Sequence, residues 1–435
     1  MPVARAAEAF KLDRLKGELD YHKPRPIGYK PTKEELEYLY NDVYIVAEIL
    51  RQITDEGMTR LTVASDSMAE YKSLITTKRF NTLFPVLSLG MDREIRRAYR
   101  GGFAYADKRH QMKRTGSGIV LDVNSLYPHI MYTKALPYGM PEYFNGEPQP
   151  TETHPLTTFT VTFTARLKKH HLPCIQVKGS LNFGATEYLS VIDEPTTLTV
   201  TNVDWELWNT HYDITPIEWS GGWRFRAAHD LFKDYIEKWS KIKAESTGGK
   251  REIAKLHLNS LYGRFAANPN VTGKCPYLKD NVVRYSTGQE ETRNPVYTAM
   301  AAFITAYARE LTINAAQANY DTFAYADTDS LHLLTDEVPD GIDVDPHRMG
   351  AWKREYGFSE ALYVRAKFYL ERVTEAHNGL ETGDVMVKVA GLPEAVTSEM
   401  SFPDVYDGNV LTGKLQPKNV PGGVVLVDMD FTIKL

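Results

Sequence analysis

Cysteine is nearly missing from this 435-residue chain. Only Cys174 and Cys275 occur, which excludes a disulfide framework and a cysteine-rich zinc module. No apolar run reaches the ~18 residues of a membrane-spanning helix. No internal repeat or low-complexity tract is present. Charge of neither sign dominates: 51 Lys and Arg against 56 Asp and Glu leave a net −5, which excludes a uniformly basic nucleic-acid coat. A basic channel offset by acidic groups elsewhere stays open. The opening MPVARAAEAFKLDRLKG is mixed and charged, and reads as the inside of a domain rather than a leader. So few cysteines make a reducing cytoplasm the default compartment.

What is present is ordinary globular composition, with 43% hydrophobic and 25% charged residues. The 26 Tyr and 17 Phe suit stacking on bases and suit a plain core equally well. A chain this long exceeds one compact core, so several domains are expected. Residues 34–53 place Leu36, Leu39, Val43, Val46 and Leu50 at helical spacing. GIVLDV, residues 118–123, reads as a buried strand after a Gly/Ser turn. Residues 134–230 alternate apolar and polar, with Pro and Gly punctuation, and read as an inserted β-rich module. Residues 228–267 become helical and break at Gly248-Gly249 into an antiparallel pair. A hairpin turning at Asp280-Asn281, an apolar helix over 295–318 and a second hairpin around DTD follow.

The chemistry-bearing residues are carboxylates at the ends of extended segments. Asp122 ends a buried strand, while Asp327 and Asp329 sit in a hairpin turn. Phosphoryl transfer needs in-line geometry and divalent cations, and two cations need carboxylates on neighbouring segments. Taken singly, each signal has a bland explanation, since Asp favours turns for its own hydrogen bonds. An aspartate closing an apolar strand must nevertheless be compensated.

A second pattern lies in REIAKLHLNSLYGRF, where Lys255, Asn259 and Tyr262 share one helix face with Arg251, and Lys243 stands across the turn. Such a stripe offers cations to a triphosphate and a ring to a base. A solvated basic face is the usual alternative. Asn259 and Tyr262 followed by Gly263 are poor choices for that purpose.

These segments occur in an order that resembles the family B DNA polymerases. LDVNSLYP (Leu121 to Pro128) is similar to the family's motif A, KLHLNSLYG (Lys255 to Gly263) to motif B, and YADTDS (Tyr325 to Ser330) to motif C. Tyr99-Arg100-Gly101-Gly102, the segment Thr305 to Arg309 and Lys367-Phe368-Tyr369 resemble three further segments of its protein-primed branch. The resemblance runs from about residue 2 to the end of the chain.

The resemblance implies an α+β right-hand polymerase with palm, fingers and thumb. It implies Asp122 and Asp327 as ligands of two Mg²⁺ ions (Mn²⁺ substituting), with the Val123 carbonyl and Asp329 beside them. Tyr127 would exclude a 2′-hydroxyl. Lys243 and Lys255 would bind the triphosphate, and Asn259 and Tyr262 would shape the nascent pair. Tyr99, Arg100, Gly101, Gly102, Ser125, Gly263, Thr305, Arg309, Lys367, Tyr369 and Lys388 would position primer and template. The implied layout is an exonuclease remnant (1–61), first palm part (62–133), first insertion (134–230), fingers (231–267), hairpin insertion (268–294), second palm part (295–389) and thumb (390–435). The first insertion would contact a terminal-protein primer. The second would close around DNA, supporting processive, strand-displacing synthesis in a phage-infected bacterial cytoplasm.

One departure stands out. Family members carry a 3′-5′ exonuclease built on several carboxylate motifs. Here Tyr38 and Asp42 match the last, Lys16, Glu18 and Tyr21 match a supporting segment, and the others have no counterpart. A single carboxylate cannot hold two metals, so proofreading is expected to be absent from this chain alone, with a separate polypeptide able to carry the missing half. Asp92-Arg93-Glu94 has the right letters but follows the last motif, and reads as an exposed ion pair or hinge. A non-catalytic DNA or terminal-protein binding subunit is the rival reading. The full set Asp122, Asp327, Asp329, Lys243 and Lys255 argues against it. An RNA-dependent polymerase or reverse transcriptase is disfavoured because Thr328 separates the two turn aspartates.

Overall fold

The computed structural model describes residues 3–20, 23, 25, 28–177, 188–280, 282–420 and 423–434. Its elements gather into two compact units, each assembled from separate stretches of chain. Residues 1–82, 232–294 and 415–427 form one, and 83–231, 295–414 and 428–435 the other. The residues expected to form the exonuclease remnant, the fingers from 232 onward and the hairpin insertion fall in the first unit, together with 62–82 of the expected palm and 415–427 of the expected thumb. Among the described residues no helix is long and apolar enough to cross a membrane.

In the first unit the helix Lys33–Asp55 opens on a capping box, where Thr32 and Glu35 satisfy each other's backbone N–H groups. The expected apolar stripe is present but uncovered. Leu36, Leu39, Val43, Val46 and Leu50 are 44–69% exposed, and the helix buries Tyr38 and Ile45 on another face. Spacing shows that a face is apolar and says nothing of whether anything covers it.

The helices Lys233–Glu245 and Gly248–Phe265 form the expected pair, but the break falls at Ser246-Thr247. Gly248 opens the second helix at φ 61, and a Cβ on Gly249 would stand 2.7 Å from the Phe10 ring. The two glycines therefore serve an unusual first dihedral and a close approach, not the break itself. The strands Asn270–Lys279 and Val282–Thr292 pair antiparallel, with Asp280 at φ 55; Asn281 lies outside the described residues.

Gly248–Phe265 buries Ile253, Ala254, His257, Leu258, Leu261 and Phe265. His257 is the polar member of that face. Its ring stacks on Trp239 at 3.9 Å, and Nδ1 meets the Ser67 and Tyr235 hydroxyls at 3.3 and 3.2 Å. Trp239 Nε1 donates to Glu70, which joins the same group.

The second unit is built on one curled antiparallel sheet. Its strands run in the spatial order Ala104–Ala106, Phe323–Asp327, Ser330–Leu333, Gly118–Val123, Trp352–Arg365, Phe368–Val373, Val385–Val389, with Arg114–Thr115 added against Trp352–Arg365. The expected strand and hairpin are its centre. A four-stranded sheet, in the order Leu136–Phe144, Tyr212–Ala228, Leu156–Leu167, Val191–Thr201, makes up most of the β-rich insertion together with the helix Asn202–His211. The helix Thr298–Ala318 packs against Asn202–His211, Leu126–Thr133 and Leu136–Phe144, and is buried along most of its length. It therefore ties the insertion to the sheet.

Asp92 corrects an expectation. It is 1% exposed within Leu89–Arg96, where Arg96 Nε donates to it at 2.9 Å and the Thr298 hydroxyl at 2.6 Å. It is a buried anchor for the apolar helix rather than a surface hinge.

His257 makes acid stability a test of this packing. Burial, with Lys238 adding to it, holds its pKa down at about 4 against Asp66. A folded pKa below the unfolded one stabilises above ~6.5 and is lost as pH falls toward 4. At ~1.4 kcal/mol per unit, the loss is on the order of 3 kcal/mol. Thermal melting followed between pH 7.5 and 4 should show this loss in the native chain and a flatter profile in His257→Met.

Candidate functional site

The sheet register brings the predicted carboxylates together. Ser330 lies opposite Asp327 on one side and opposite Asp122 on the other. The three form a row across adjacent strands, so their side chains share one face. At ~4.8 Å per strand the two aspartate Cα positions stand roughly 10 Å apart. Asp329 is carried to the same edge by the turn. Its carbonyl accepts from Val123 N–H at 2.8 Å, one residue beyond Asp122.

The turn is strained and firmly held. Thr328 sits at φ 65, an unfavourable value for a β-branched residue. Its N–H donates to the Phe103 carbonyl at 2.6 Å, and its own carbonyl accepts from the Thr312 hydroxyl at 2.7 Å. A Cβ on Gly102 would come within 2.6 Å of Thr328 Oγ1, so the Tyr99–Gly102 segment requires glycine to reach the turn.

The carboxylates destabilise one another. Burial, then Asp329 and Glu355, push the Asp122 carboxyl up to about 8, with Lys353 opposing. Burial and then Asp327 raise Asp329 as well. At Asp327 a cation intervenes: Lys367 Nζ donates to both oxygens at 2.8 and 3.0 Å. Lys367 is positioned in turn by its backbone N–H, which donates to the Tyr325 hydroxyl at 2.9 Å.

Among the described residues no three carboxylate, imidazole or thiol groups converge tightly enough to hold one ion together. The donor chemistry still fits hard divalent cations. Partly desolvated carboxyls that disfavour a neighbour's ionisation are relieved by positive charge, and at Asp327 a flexible lysine supplies it.

Motif A continues into a helix placed beside this row. Asn124 N–H donates to the Ala351 carbonyl at 3.0 Å, and its carbonyl accepts from Gly350 at 2.8 Å. Ser125 takes φ 55 and starts Leu126–Thr133, leaving Tyr127 half-buried in the first turn.

The residues expected to touch DNA divide into two groups. Lys367, Lys388 and Gly101 are exposed. Thr305 and Arg309 are 1% and 4% exposed, and Arg100 is 9%. The Thr305 hydroxyl turns back to the Ala301 carbonyl at 3.0 Å. Arg309 is fully engaged: Nε and Nη2 fork onto Asp204 at 2.9 and 2.8 Å, while Nη1 donates to the carbonyls of Arg100 and Gly101 at 2.9 and 2.7 Å. The Arg100 guanidinium lies over the Trp208 ring at 5.4 Å, and burial lowers its pKa to about 10. Arg309 therefore supports the Tyr99–Gly102 segment from behind.

Sequence reasoning missed Asp204, Thr312 and the strain at Thr328. Asp204 follows Thr201 as an ordinary helix start, with Asp204 N–H on the Thr201 hydroxyl at 3.0 Å, and nothing local announces its distant partner.

In the first unit, Arg251, Lys255 and Asn259 are exposed on one face of Gly248–Phe265, with Tyr262 half-buried and Gly263 exposed beside them. Arg251 Nη1 donates to the Lys243 carbonyl at 2.7 Å. Burial, then Arg251 and Lys255, lower the Lys243 pKa. Cations crowded in this way favour an anion among them.

The residues expected of an exonuclease remnant are partly brought together. Lys16 Nζ stands 3.5 Å from Asp42 and 5.3 Å from the Tyr38 ring centre, while Glu18 is exposed. Asp42 Oδ1 is buried with no hydrogen-bond partner among the described residues. Tyr21 lies outside them.

Comparison with known proteins places this geometry. Residues 1–345 match the family described as DNA polymerase type B, organellar and viral. The chain is 46% identical to the DNA polymerase of Bacillus phage phi29 over 447 aligned positions, covering 100% of this chain and 78% of that protein. It is 32% identical to the DNA polymerase of Streptococcus phage Cp-1, covering 99% and 77%. It is similar to the solved phi29 DNA polymerase complexed with primer-template DNA and incoming nucleotide substrates, with a TM-score of 0.92 and 46% identity over 100% of this chain and 78% of that one.

The Arg309–Asp204 fork gives a prediction. Removing one partner of a buried ion pair costs about 3–5 kcal/mol, and loosening the pair costs a part of that. Arg309→Lys keeps the charge but loses the fork, so it should lower the melting temperature and weaken primer–template binding in a gel-shift assay. Unchanged DNA affinity would show that the loop stands without it.

Proposed function

The chain belongs to the type B DNA polymerases and is a DNA-directed DNA polymerase, and we propose that it extends a primer by two-metal phosphoryl transfer centred on Asp122 and Asp327. The observation that carries this reading is the row Asp327–Ser330–Asp122, with Asp329 folded in beside it. Two Mg²⁺ ions held by Asp122, Asp327, Asp329 and the Val123 carbonyl would polarise the transferring phosphate and the primer hydroxyl. The remaining work falls to the chain itself.

Lys243, Arg251 and Lys255 bind the triphosphate, whose negative charge relieves their mutual repulsion. Tyr262 offers the base a flat wall and Asn259 a polar edge. Tyr127, fixed in the first turn after Ser125, blocks a 2′-hydroxyl. Lys367 neutralises Asp327 before the ions arrive, and its exposed ammonium is then available to the primer backbone. Tyr99 to Gly102, braced by Arg309, carries the template. Tyr369, Ser125, Gly263 and Lys388 shape the same path, and Thr305, buried in its helix, supports it from within. Contacts of this kind go to phosphates, so binding should be sequence-tolerant and salt-sensitive.

Deoxynucleoside triphosphates and a primer–template are the substrates, as in the phi29 enzyme solved with both. We assign the first insertion, residues 134–230, to a terminal-protein primer, and the hairpin insertion, residues 268–294, to processive, strand-displacing synthesis. The setting is the cytoplasm of a phage-infected bacterium. We infer that the residues present do not edit by themselves, since Asp42 is the one exonuclease carboxylate matched among them. Among the described residues Asp42 Oδ1 has no hydrogen-bond partner, and the apolar stripe from Leu36 to Leu50 is exposed beside it; both leave a surface for further exonuclease elements, whichever polypeptide carries them.

Asp327→Asn should abolish primer extension with DNA binding retained; extension near the native rate would refute the site. Tyr127→Val should incorporate ribonucleotides that the native chain rejects, read as product ladders on a gel. Incubated with a labelled single-stranded primer and Mg²⁺, the isolated chain should leave it intact, and shortening that disappears in Asp42→Ala would overturn the editing assignment.

A further inference from the structure

Behind the catalytic row lies a polar cluster that the proposed chemistry does not use. Glu371 is 0% exposed and His332 is 1% exposed, within a core otherwise formed by residues such as Val120, Ala324, Phe358 and Val373. The carboxylate is fully engaged. Oε1 meets His332 Nδ1 at 2.6 Å and accepts from the Tyr363 hydroxyl at 2.7 Å, and Oε2 accepts from the Tyr356 hydroxyl at 2.6 Å. Burial beside Glu371 pushes the Tyr356 and Tyr363 hydroxyls well above their ordinary range, so both remain donors.

This arrangement orients the ring. Glu371 Oε1 holds its Nδ1 side, and an ionised carboxylate there selects the tautomer with the proton on Nδ1. Nε2 is then the nitrogen that faces Ser330 Oγ, at 3.5 Å. Ser330 Oγ in turn stands 3.3 Å from the Asp327 carbonyl. Ser330 is the residue between Asp327 and Asp122 in the row. A second path leads to the same place. Tyr363 stacks on Tyr325 at 5.5 Å, and the Tyr325 hydroxyl accepts the N–H of Lys367, whose Nζ holds Asp327.

A buried ionisable pair is a poor choice if stability alone is wanted, since well-packed apolar residues of similar volume usually do as well or better. Its value lies in orientation: charge-assisted bonds at short range fix a ring that packing alone would leave free to turn. We propose that Glu371 and His332 are positioning residues for the metal-binding row, the carboxylate fixing the imidazole and the imidazole holding Ser330 and the Asp327 strand at the spacing the ions require. The inference rests on the two-metal reading but concerns residues that touch neither substrate nor ion.

The test uses the intact chain with Glu371→Gln, His332→Gln and the double variant, and Tyr356→Phe as a packing control that spares the Oε1 contact. Gln at 371 keeps the volume but replaces the charge-assisted bond to Nδ1 with a neutral one. Melting temperature and near-ultraviolet circular dichroism establish which variants are folded. Mn²⁺ binding to the DNA-free protein is read by electron paramagnetic resonance, and the Mg²⁺ midpoint of primer extension is read alongside.

The expected result is a loss of Mn²⁺ affinity of roughly tenfold in Glu371→Gln. The Mg²⁺ midpoint should rise in parallel, with the KM for nucleotide at saturating Mg²⁺ unchanged. His332→Gln should reproduce the loss, and the double variant should be no worse than either. Tyr356→Phe should bind Mn²⁺ like the native chain. Native Mn²⁺ affinity in either folded single variant, or fully additive losses in the double, would overturn the proposal. If Glu371→Gln does not fold, His332→Gln alone decides it. Failure of Asp327→Asn to affect Mn²⁺ binding would instead count against the two-metal reading itself.

Discussion

Crowding of carboxylates at the end of a buried strand is the constraint around which the second unit is arranged. Asp122 is held above its ordinary pKa by burial and then by Asp329, Asp329 by burial and then by Asp327, and Asp327 is held by Lys367. Such a group of acids is unfavourable by itself. It persists because the sheet register leaves no alternative: Asp122, Ser330 and Asp327 are paired residue for residue. The features nearby follow from holding that register at its tip. Thr328 is kept at an unfavourable φ by Phe103 and Thr312, Gly102 lacks a side chain so that its segment can reach the turn, and Arg309 braces that segment through Asp204.

The helix Gly248–Phe265 shows the opposite sign of the same logic. Lys243, Arg251 and Lys255 crowd cations as the sheet crowds carboxylates, and each cluster is relieved by what it would bind. A net charge of −5 hides this segregation. Affinity for nucleic acid in such a chain comes from where the charges stand, not from their sum.

Much of the site was legible in the sequence because its determinants are local. The apolar run GIVLDV, the DTD turn and the i, i+4, i+7 spacing of Lys255, Asn259 and Tyr262 each specify an element, and the elements are where the patterns put them. What was not legible is long-range. Arg309 looks like a surface cation in its own helix and is buried only because Asp204, 105 residues away, meets it. Glu371 and His332 are 39 apart and gave no motif. Asp92 passed for a surface charge until Thr298, 206 residues on, supplied its partner. The stripe on Lys33–Asp55 shows the converse, a clear local pattern whose burial depends on something other than its own helix.

The central claim is that Asp122 is held half-buried and close to other carboxylates until a divalent cation takes its place among them. Proton release tests it directly. An Asp122 pKa of about 8 means that the carboxyl is largely protonated at pH 7 without metal, and a bound cation must displace that proton. Isothermal titration of Mg²⁺ into the DNA-free chain, repeated at pH 7 in buffers of different ionisation enthalpy, counts the protons released. The account predicts close to one proton per binding event, lost in Asp122→Asn. Binding with no proton release in the native chain would contradict it.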